Sequence, residues 1–168
     1  MHIRRATYSD IDSLMEVFEA ARSIMRASGN MNQWIGNYPS RELVGSDIKA
    51  GTCMVLCEDS TIVGTMALIQ GPDPTYFSID GEWPDESPYY VIHRIAALMP
   101  GLNLSKVMLD WAFDYIAASG CDVIRIDTHR DNIIMKHFLD KYGFTPCGVI
   151  YLADGSPRDA YYKNIRSI

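Results

Sequence analysis

The sequence predicts a single mixed α/β domain, and three observations lead to this fold class. The chain has 168 residues, which is enough for one ordinary domain and too few for two well-built ones. Hydrophobic residues make up 48% and charged residues 21% of it, which excludes an intrinsically disordered chain. Strand-like and helix-like segments follow one another along the chain, with a strand–helix–strand–helix–strand order at its centre.

The first 50 residues predict a short strand and two helices. Residues 3–7 have a strand-like composition, and the helix that follows has apolar residues at helical spacing: Ile11, Leu14, Met15, Phe18, Ala21 and Met25. Gly29 ends this helix, and residues 30–39 form a polar and aromatic loop. Ser40 is expected to cap a second helix that runs to about residue 50, where Gly51 ends it.

A hairpin and a long connection occupy the middle of the chain. Residues 53–57 and 62–69 are apolar runs separated by a short turn, which predicts a β-hairpin. Residues 71–88 are rich in Gly, Pro and Asp, and we expect them to form a surface excursion that acts as a functional loop or mobile lid. Residues 89–96 then read as a strand.

Two helices and three strands are predicted for the last 65 residues. The helix from residue 104 to Gly120 has the clearest periodicity, carried by Leu104, Val107, Met108, Trp111 and Tyr115. Residues 123–127 form a strand, and residues 132–142 form a helix whose inward residues are expected to be Ile134, Phe138 and Leu139. Two further strands are expected at residues 144–151 and 159–163.

Charge and cysteine content narrow the function classes. The chain has 15 Lys and Arg against 21 Asp and Glu, a net charge of −6, which argues against a nucleic-acid-binding surface. No apolar run approaches the roughly 20 residues of a membrane helix. The four cysteines form no CxxC motif and are expected to be free thiols of a reducing compartment. We therefore expect a cytoplasmic protein that binds neither nucleic acid nor a membrane.

The segment after residue 97 leads from a strand into a helix. Such a connection directs several unpaired N–H groups of the helix N-terminus at one point, where an anion can bind. Ser105 and Lys106, in the first helical turn, would suit a phosphate group. Because every α/β connection has this geometry, the pattern alone is weak evidence for a site.

Four segments in this order resemble the GNAT superfamily of N-acetyltransferases: IHRIAAL at 92–98, DTHRDN at 127–132, KYGF at 141–144 and YLADGSPRDAYYK at 151–163. The similarity extends from Ile3 to Lys163. It implies one acetyltransferase-like domain over residues 1–168, with a central mixed, mostly antiparallel twisted sheet flanked by about four helices. The implied activity is direct transfer of an acetyl group from acetyl-CoA to a primary amine of a small molecule or peptide, with no metal.

The resemblance also implies where acetyl-CoA would bind. The strand at 95–97 would offer backbone groups to the pantetheine arm, and the following helix start would hold the pyrophosphate. Asn132 matches an asparagine that commonly hydrogen-bonds the cofactor arm. The complete implied set is Ile95, Ala96, Ala97, Asn103, Leu104, Ser105, Lys106, Asn132 and Phe138.

The sequence departs from the family pattern at two points. The pyrophosphate loop normally reads Arg/Gln-x-x-Gly-x-Gly/Ala, and the aligned residues are Pro100, Asn103 and Ser105. Asn tolerates a left-handed backbone and Ser is small, so phosphate binding stays compatible with this loop. Many members place a Tyr that protonates the departing thiolate where Leu139 stands. Tyr142 lies about 4.5 Å further along the helix axis, so the sequence does not identify the general acid. The two departures also motivate an alternative function, that of a non-catalytic CoA-binding or regulatory domain.

His93 is the candidate catalytic base. It stands two residues before Ile95-Ala96-Ala97, where arylalkylamine-type members of the family have a histidine that deprotonates the substrate. The ordinary pKa of histidine suits proton removal from an ammonium group. A structural histidine inside the sheet is equally compatible with the sequence. Arg94 should point to the opposite face and pair with a carboxylate such as Asp127.

The remaining candidates concern the acceptor and a metal. Gln33, Trp34 and Tyr38 lie between the first two helices, which line the acceptor pocket in the resembled fold. Alternating acidic and histidine side chains at residues 127–131 could share one strand side as metal ligands, but Asp131 is expected to cap the next helix instead. Members of the family often form dimers, so a homodimer is the assembly that the resemblance implies.

Overall fold

The computed structural model describes residues 1–100 and 103–166. In this part of the chain the elements are β1 (His2–Arg5), α1 (Ile11–Ala27), α2 (Arg41–Ala50), β2 (Cys53–Glu58), β3 (Thr61–Gln70), β4 (Ile79–Gly81), β5 (Tyr89–Ala97), α3 (Leu104–Ala118), β6 (Val123–Thr128), α4 (Ile133–Lys141), β7 (Thr145–Tyr151) and β8 (Pro157–Asn164). Short 3-10 turns occupy Tyr8–Asp10 and Pro74–Tyr76. None of the described helices is long and apolar enough to cross a bilayer.

The strands form one sheet in the order β1-β2-β3-β5-β6-β8-β7-β4. Every neighbouring pair is antiparallel except β5 and β6, which run parallel on either side of the crossover through α3. The predicted mixed, mostly antiparallel sheet with four flanking helices is therefore confirmed.

Helices cover both faces of the sheet. In β2, Cys53, Val55 and Cys57 point towards the core shared with α1 and α2, whereas Met54 and Leu56 point towards the core shared with α3 and α4. This alternation follows from the period of two along a strand, and both sets are apolar because both faces are covered. All four cysteines are free thiols.

Caps bound both ends of α2, and a carboxylate fixes the chain segment that leads into α1. The Ser40 hydroxyl accepts a hydrogen bond from the Leu43 N–H at 3.2 Å, and Gly51 ends α2 with φ +72°. Before α1, the Asp10 carboxylate accepts hydrogen bonds from the Thr7 N–H at 2.7 Å and from the Arg4 guanidinium at 2.7 and 2.9 Å. Asp10 thus joins β1 to the start of α1.

The contribution of Asp10 to the free energy of unfolding should depend on pH. Its hydrogen bonds to Arg4 and Thr7 hold the pKa of the carboxyl at about 2, below the ordinary 3.8. Because folding favours the carboxylate, its contribution is present above about pH 4 and is lost as the pH falls through about 2. We expect Asp10→Ala to lower the free energy of unfolding by about 1–2 kcal/mol at pH 7, with the difference shrinking towards pH 2 in urea titrations.

Asp12 provides a matched control for this prediction. Its carboxylate pairs with Arg41, but its side chain is 84% exposed, against 12% for Asp10. Exposed ion pairs contribute about 0–1 kcal/mol, so Asp12→Ala should have the smaller effect. Equal effects of the two substitutions would contradict the assigned role of Asp10.

Two details of α4 differ from the sequence-based expectations. Ile134 is 56% exposed, because the buried face of α4 is formed by Met135, Phe138 and Leu139 at helical spacing. Asn132, rather than Asp131, caps α4 through a hydrogen bond from the Met135 N–H at 3.1 Å. The prediction of Asp131 as the cap was wrong because Asp and Asn are equally good caps and stand side by side here.

The segment at residues 71–88 is not a simple surface excursion. Its residues 79–81 form the edge strand β4, which pairs with β7. Tyr76 and Trp83 are buried with their rings 5.3 Å apart, and the Trp83 indole N–H donates to the Tyr76 carbonyl oxygen at 3.0 Å. These two aromatic side chains anchor the segment against the sheet, close to β5.

Candidate active site

A cleft opens where β5 and β6 diverge. The two strands pair only from Tyr89–Val91 to Val123–Arg125, although both continue beyond these residues. A cavity of about 730 Å³ lies at the divergence, and its walls come from β5, β6, the loop at 30–39, the start of α4 and the β7–β8 turn. The split in the sheet therefore provides an elongated site between two strands.

A β-bulge turns two consecutive residues of β5 towards this cavity. Arg94 has a φ of +53°, and the register with β3 shifts between Thr65 and Ala67. In a regular strand His93 and Arg94 would point to opposite faces, but at the bulge both line the cavity. The expectation that Arg94 points away from His93 was wrong because a left-handed, non-glycine residue has no clear sequence signal.

Arg94 pairs with Asp47 of α2, not with Asp127. Its Nη2 and Nε donate to the two carboxylate oxygens of Asp47 at 2.9 and 3.0 Å, a bidentate pair. The two side chains are only 10% and 13% exposed. The ion pair ties α2 to the bulge and holds the distorted part of β5 in place.

His93 lies between two carboxylates. Its Nε2 is 2.8 Å from Asp73 Oδ2, and its Nδ1 is 3.7 Å from Asp127 Oδ1. The hydrogen bond with His93, helped by the Thr75 N–H, lowers the pKa of Asp73 to about 2. The Tyr76 hydroxyl donates to Asp127 Oδ1 at 2.6 Å, and burial together with that carboxylate raises the pKa of Tyr76. Asp73 Oδ2 and Asp127 Oδ1 thus face the two ring nitrogens of His93.

Asp73 and Tyr76 were not among the sequence-predicted site residues. Asp73 accepts a hydrogen bond from the Thr75 N–H and precedes a proline, which is the pattern of a helix cap followed by Pro at the first position. That pattern could have predicted a rigid turn at this point. It could not have predicted the contact with His93, because the two residues meet only through the pairing of β3 with β5.

The predicted acceptor residues do meet at the cavity. Gln33 Oε1 accepts hydrogen bonds from Asn30 Nδ2 at 2.8 Å and from Asn132 Nδ2 at 2.9 Å, which ties the loop to the start of α4. Trp34 is buried and meets Phe18 edge to face at 5.7 Å. Gln33, Trp34, Tyr38 and Asn132 all contribute to the cavity wall.

The predicted cofactor residues are spread more widely. Ile95 lines the cavity, whereas the side chains of Ala96 and Leu104 are buried in the two cores. Asn103 has a φ of +54°, the left-handed conformation expected for this position, while Gly101 and Leu102 of the loop lie outside the described residues. The cavity is not lined by Ala97, Ser105 or Phe138.

Lys106 and Tyr142 share a carboxylate on the outer side of α3. Lys106 Nζ donates to Asp110 Oδ2 at 2.6 Å, and the Tyr142 hydroxyl donates to Asp110 Oδ1 at 3.3 Å. Leu139 is fully buried in the core and does not reach the cavity. The cation proposed for a phosphate is thus already paired within the chain.

The candidate metal ligands engage other partners. Asp127 Oδ1 accepts a hydrogen bond from the Tyr76 hydroxyl at 2.6 Å, and Asp131 Oδ2 accepts one from Asn32 Nδ2 at 3.2 Å. His129 Nδ1 accepts a hydrogen bond from the backbone N–H of Asp131 at 3.1 Å. Among residues 1–100 and 103–166, no group of three His, Cys, Asp or Glu side chains converges in a metal-binding arrangement.

Comparison with known proteins now assigns the family. A model of the acetyltransferase (GNAT) family matches residues 14–144. The chain belongs to the GNAT acetyltransferase family. No curated protein sequence matches the chain significantly.

Solved GNAT structures share the whole fold. A GNAT-family acetyltransferase from Streptococcus agalactiae 2603 is 34% identical, with 97% of this chain and 94% of that chain covered and a TM-score of 0.85. One from Listeria monocytogenes 4b F2365 is 20% identical, with 97% and 94% covered and a TM-score of 0.73. The PaiA N-acetyltransferase of Thermoplasma acidophilum, solved in complex with coenzyme A, is 18% identical, with 97% and 98% covered and a TM-score of 0.71.

Membership in the GNAT family identifies acyl transfer as the general chemistry of this chain. The cleft between β5 and β6 brings a histidine, carboxylates and aromatic side chains together. We therefore take it as the candidate active site of this GNAT acetyltransferase.

Proposed function

We propose that the protein transfers an acetyl group from acetyl-CoA directly to a primary amine of a small molecule or peptide. The observation that carries this proposal is the position of His93, which lines the cleft at the strand divergence with one ring nitrogen bonded to Asp73. A histidine held in this way can take a proton from an amine inside the cleft. Neither a metal nor a protein nucleophile is required.

The diverging strands offer a suitable place for acetyl-CoA. The Leu98 N–H donates to Val63 O at 2.8 Å, and the Ala96 carbonyl lies against Gly64, so these residues turn their backbone groups towards β3. Because backbone groups alternate along a strand, those of Ile95 and Ala97 are expected to face the cleft. An extended, amide-rich ligand can pair with such an edge. The Thr128 hydroxyl, a buried group of the cavity wall, has no hydrogen-bond partner among residues 1–100 and 103–166, which supports a ligand there.

The residues of the chain then have distinct roles. Acetyl-CoA supplies the activated acetyl thioester. His93 would remove the proton that keeps the amine from attacking, and backbone N–H groups around Ala96, on the Ile95 and Ala97 side, would stabilise negative charge that develops on the acetyl oxygen. Asn132 would hold the cofactor arm from the start of α4, and the N-terminus of α3 at Asn103 to Lys106 would hold the pyrophosphate.

The loop at 30–39 would hold the acceptor. Trp34 and Tyr38 give the cavity an aromatic wall, with ring centroids 6.3 Å apart, and Gln33 is fixed there by two amide hydrogen bonds. This combination suits an amine carried on an apolar or peptide-like group. We further propose that the protein is cytoplasmic and forms a homodimer. Light scattering of the purified protein can test the dimer.

One observation favours a second function, a non-catalytic CoA-binding or regulatory domain. Leu139 is fully buried, and Tyr142 directs its hydroxyl to Asp110. Neither side chain lines the cavity, where a proton donor to the departing thiolate would have to lie.

Calorimetry with acetyl-CoA and CoA, followed by a thiol-release assay with a panel of primary amines, separates the two functions. Binding together with amine-dependent thiol release supports acetyl transfer. Tight binding without release on any amine would favour the non-catalytic function, and absence of binding would contradict both.

The pyrophosphate loop yields a separate prediction. Asn103 already has the left-handed backbone that a family glycine would supply. The double substitution Asn103→Gly/Ser105→Gly should therefore leave the affinity for acetyl-CoA equal or improved in calorimetry, because it permits closer approach of phosphate without a new backbone conformation. A large loss of affinity would show that these side chains themselves hold the phosphate.

A further inference from the structure

We propose that Nδ1 of His93 is the atom that takes the proton, and that the Asp127 carboxylate binds the acceptor's ammonium group beside it. Asp73 and Tyr76 act as positioning residues for His93 and Asp127. This inference rests on the proposed function and specifies the acceptor as a cationic alkyl amine.

The contact with Asp73 fixes which ring nitrogen carries a hydrogen. Asp73 is ionised at neutral pH and can only accept, so the 2.8 Å contact requires a hydrogen on His93 Nε2. Asp73 is itself held by the Thr75 N–H on its other oxygen and by the Tyr89 hydroxyl, which accepts a hydrogen bond from the Asp73 N–H at 3.0 Å. In the neutral ring, Nδ1 is then the nitrogen with a free lone pair.

The free Nδ1 faces a second acceptor. Its distance to Asp127 Oδ1 is 3.7 Å, which is too long for a direct hydrogen bond. That oxygen already accepts from the Tyr76 hydroxyl, which stays protonated because burial and Asp127 raise its pKa. Two acceptors therefore face each other with no proton of their own between them. An ammonium group carries three donors and can satisfy both.

The surrounding charges favour a cation at this point. Asp73 on the turn after β3 and Asp127 on β6 face the ring from two sides, and Tyr76 contributes a neutral hydroxyl. Arg94, the next residue along β5, is paired with Asp47, so these two charges offset one another. The pocket around His93 thus has an excess of negative charge, which binds an ammonium better than a neutral group.

The proton step balances within these groups. The ammonium N–H bond breaks, its electron pair stays on the amine nitrogen, and a new N–H bond forms at His93 Nδ1. The positive charge moves from the amine to the imidazolium, where it lies between Asp73 and Asp127. The Asp127 carboxylate, which bound the ammonium group, therefore also stabilises the His93 imidazolium. The neutral amine is left beside the ring.

Two substitutions should separate binding from positioning. Asp127→Asn removes the charge but keeps the shape, and we expect it to raise KM for the amine about 10- to 100-fold with a smaller change in kcat. Asp73→Asn frees the ring orientation and should lower kcat about 10-fold or more, with KM nearly unchanged and the pH profile altered. Asp80→Asn, which removes an exposed carboxylate on β4, is the matched control and should change neither constant.

Nitrogen-15 NMR of the His93 ring tests the assignment without turnover. At high pH the free protein should show hydrogen on Nε2, and 2-phenylethylamine added near neutral pH should shift Nδ1 more than its uncharged analogue 2-phenylethanol does. Asp127→Asn should remove that preference. A hydrogen on Nδ1, or equal effects of the two probes on the wild type, would overturn the inference. If the NMR results hold but no amine is acetylated, the proposed function fails while the amine site stands.

Discussion

Replacing His93 by alanine is expected to reduce amine acetylation at pH 7 by about 10²- to 10⁴-fold, the range measured for loss of a general base. The loss should become smaller as the pH rises, because the amine then sheds its proton without help. The measurement is kcat/KM for thiol release between about pH 6 and pH 10. A merely structural histidine would give a loss that does not depend on pH in this way.

His137 supplies the control for this substitution. It is exposed on α4 and does not line the cavity. His137→Ala should therefore leave the rate and its pH dependence unchanged. Unchanged rates in His93→Ala itself would remove His93 from the mechanism, and circular dichroism of both variants would show whether the fold is retained.

The second large effect concerns stability. Asp47→Ala leaves the Arg94 guanidinium nearly buried without its carboxylate, and we expect the free energy of unfolding to fall by about 3–5 kcal/mol. The cause is the unpaired buried charge, rather than a large net gain from the ion pair. Urea denaturation of wild type and variant at pH 7 measures the difference.

A double substitution tests that cause. Asp47→Leu together with Arg94→Met removes both charges while keeping apolar volume at the bulge. It should recover much of the stability that Asp47→Ala loses, because no buried charge then lacks a partner. If the double variant were no more stable than Asp47→Ala, the loss would instead reflect backbone strain at Arg94, whose φ is +53°.

Local sequence signals predicted most of the fold. The periodicity of α1 and α3, the caps at Ser40 and Gly51 and the hairpin of β2 and β3 depend on residues within a few positions of one another. Each of these signals has a local physical cause, such as a hydroxyl that accepts an unpaired N–H. The fold class and the element order follow from them.

The parts that could not be predicted depend on contacts between distant segments. The β-bulge at Arg94 needs a left-handed, non-glycine residue, which only the pairing with Asp47 and the register of β3 explain. Asp73 and Tyr76 meet His93 and Asp127 through pairing across the sheet. The family resemblance therefore pointed to His93 as a candidate base, whereas no local pattern predicted that Asp73 and Tyr76 would lie beside it.

The central claim, direct acetyl transfer to an amine in the β5–β6 cleft, is tested most directly by product analysis. The protein is incubated with acetyl-CoA labelled with carbon-13 in its acetyl group and with a mixture of primary alkyl amines, and mass spectrometry follows both the amines and the protein. We predict labelled amide that depends on His93, with no acetyl group retained on the protein. Labelled protein that passes its acetyl group on to the amine, or no labelled amide from any amine although acetyl-CoA binds, would contradict the claim.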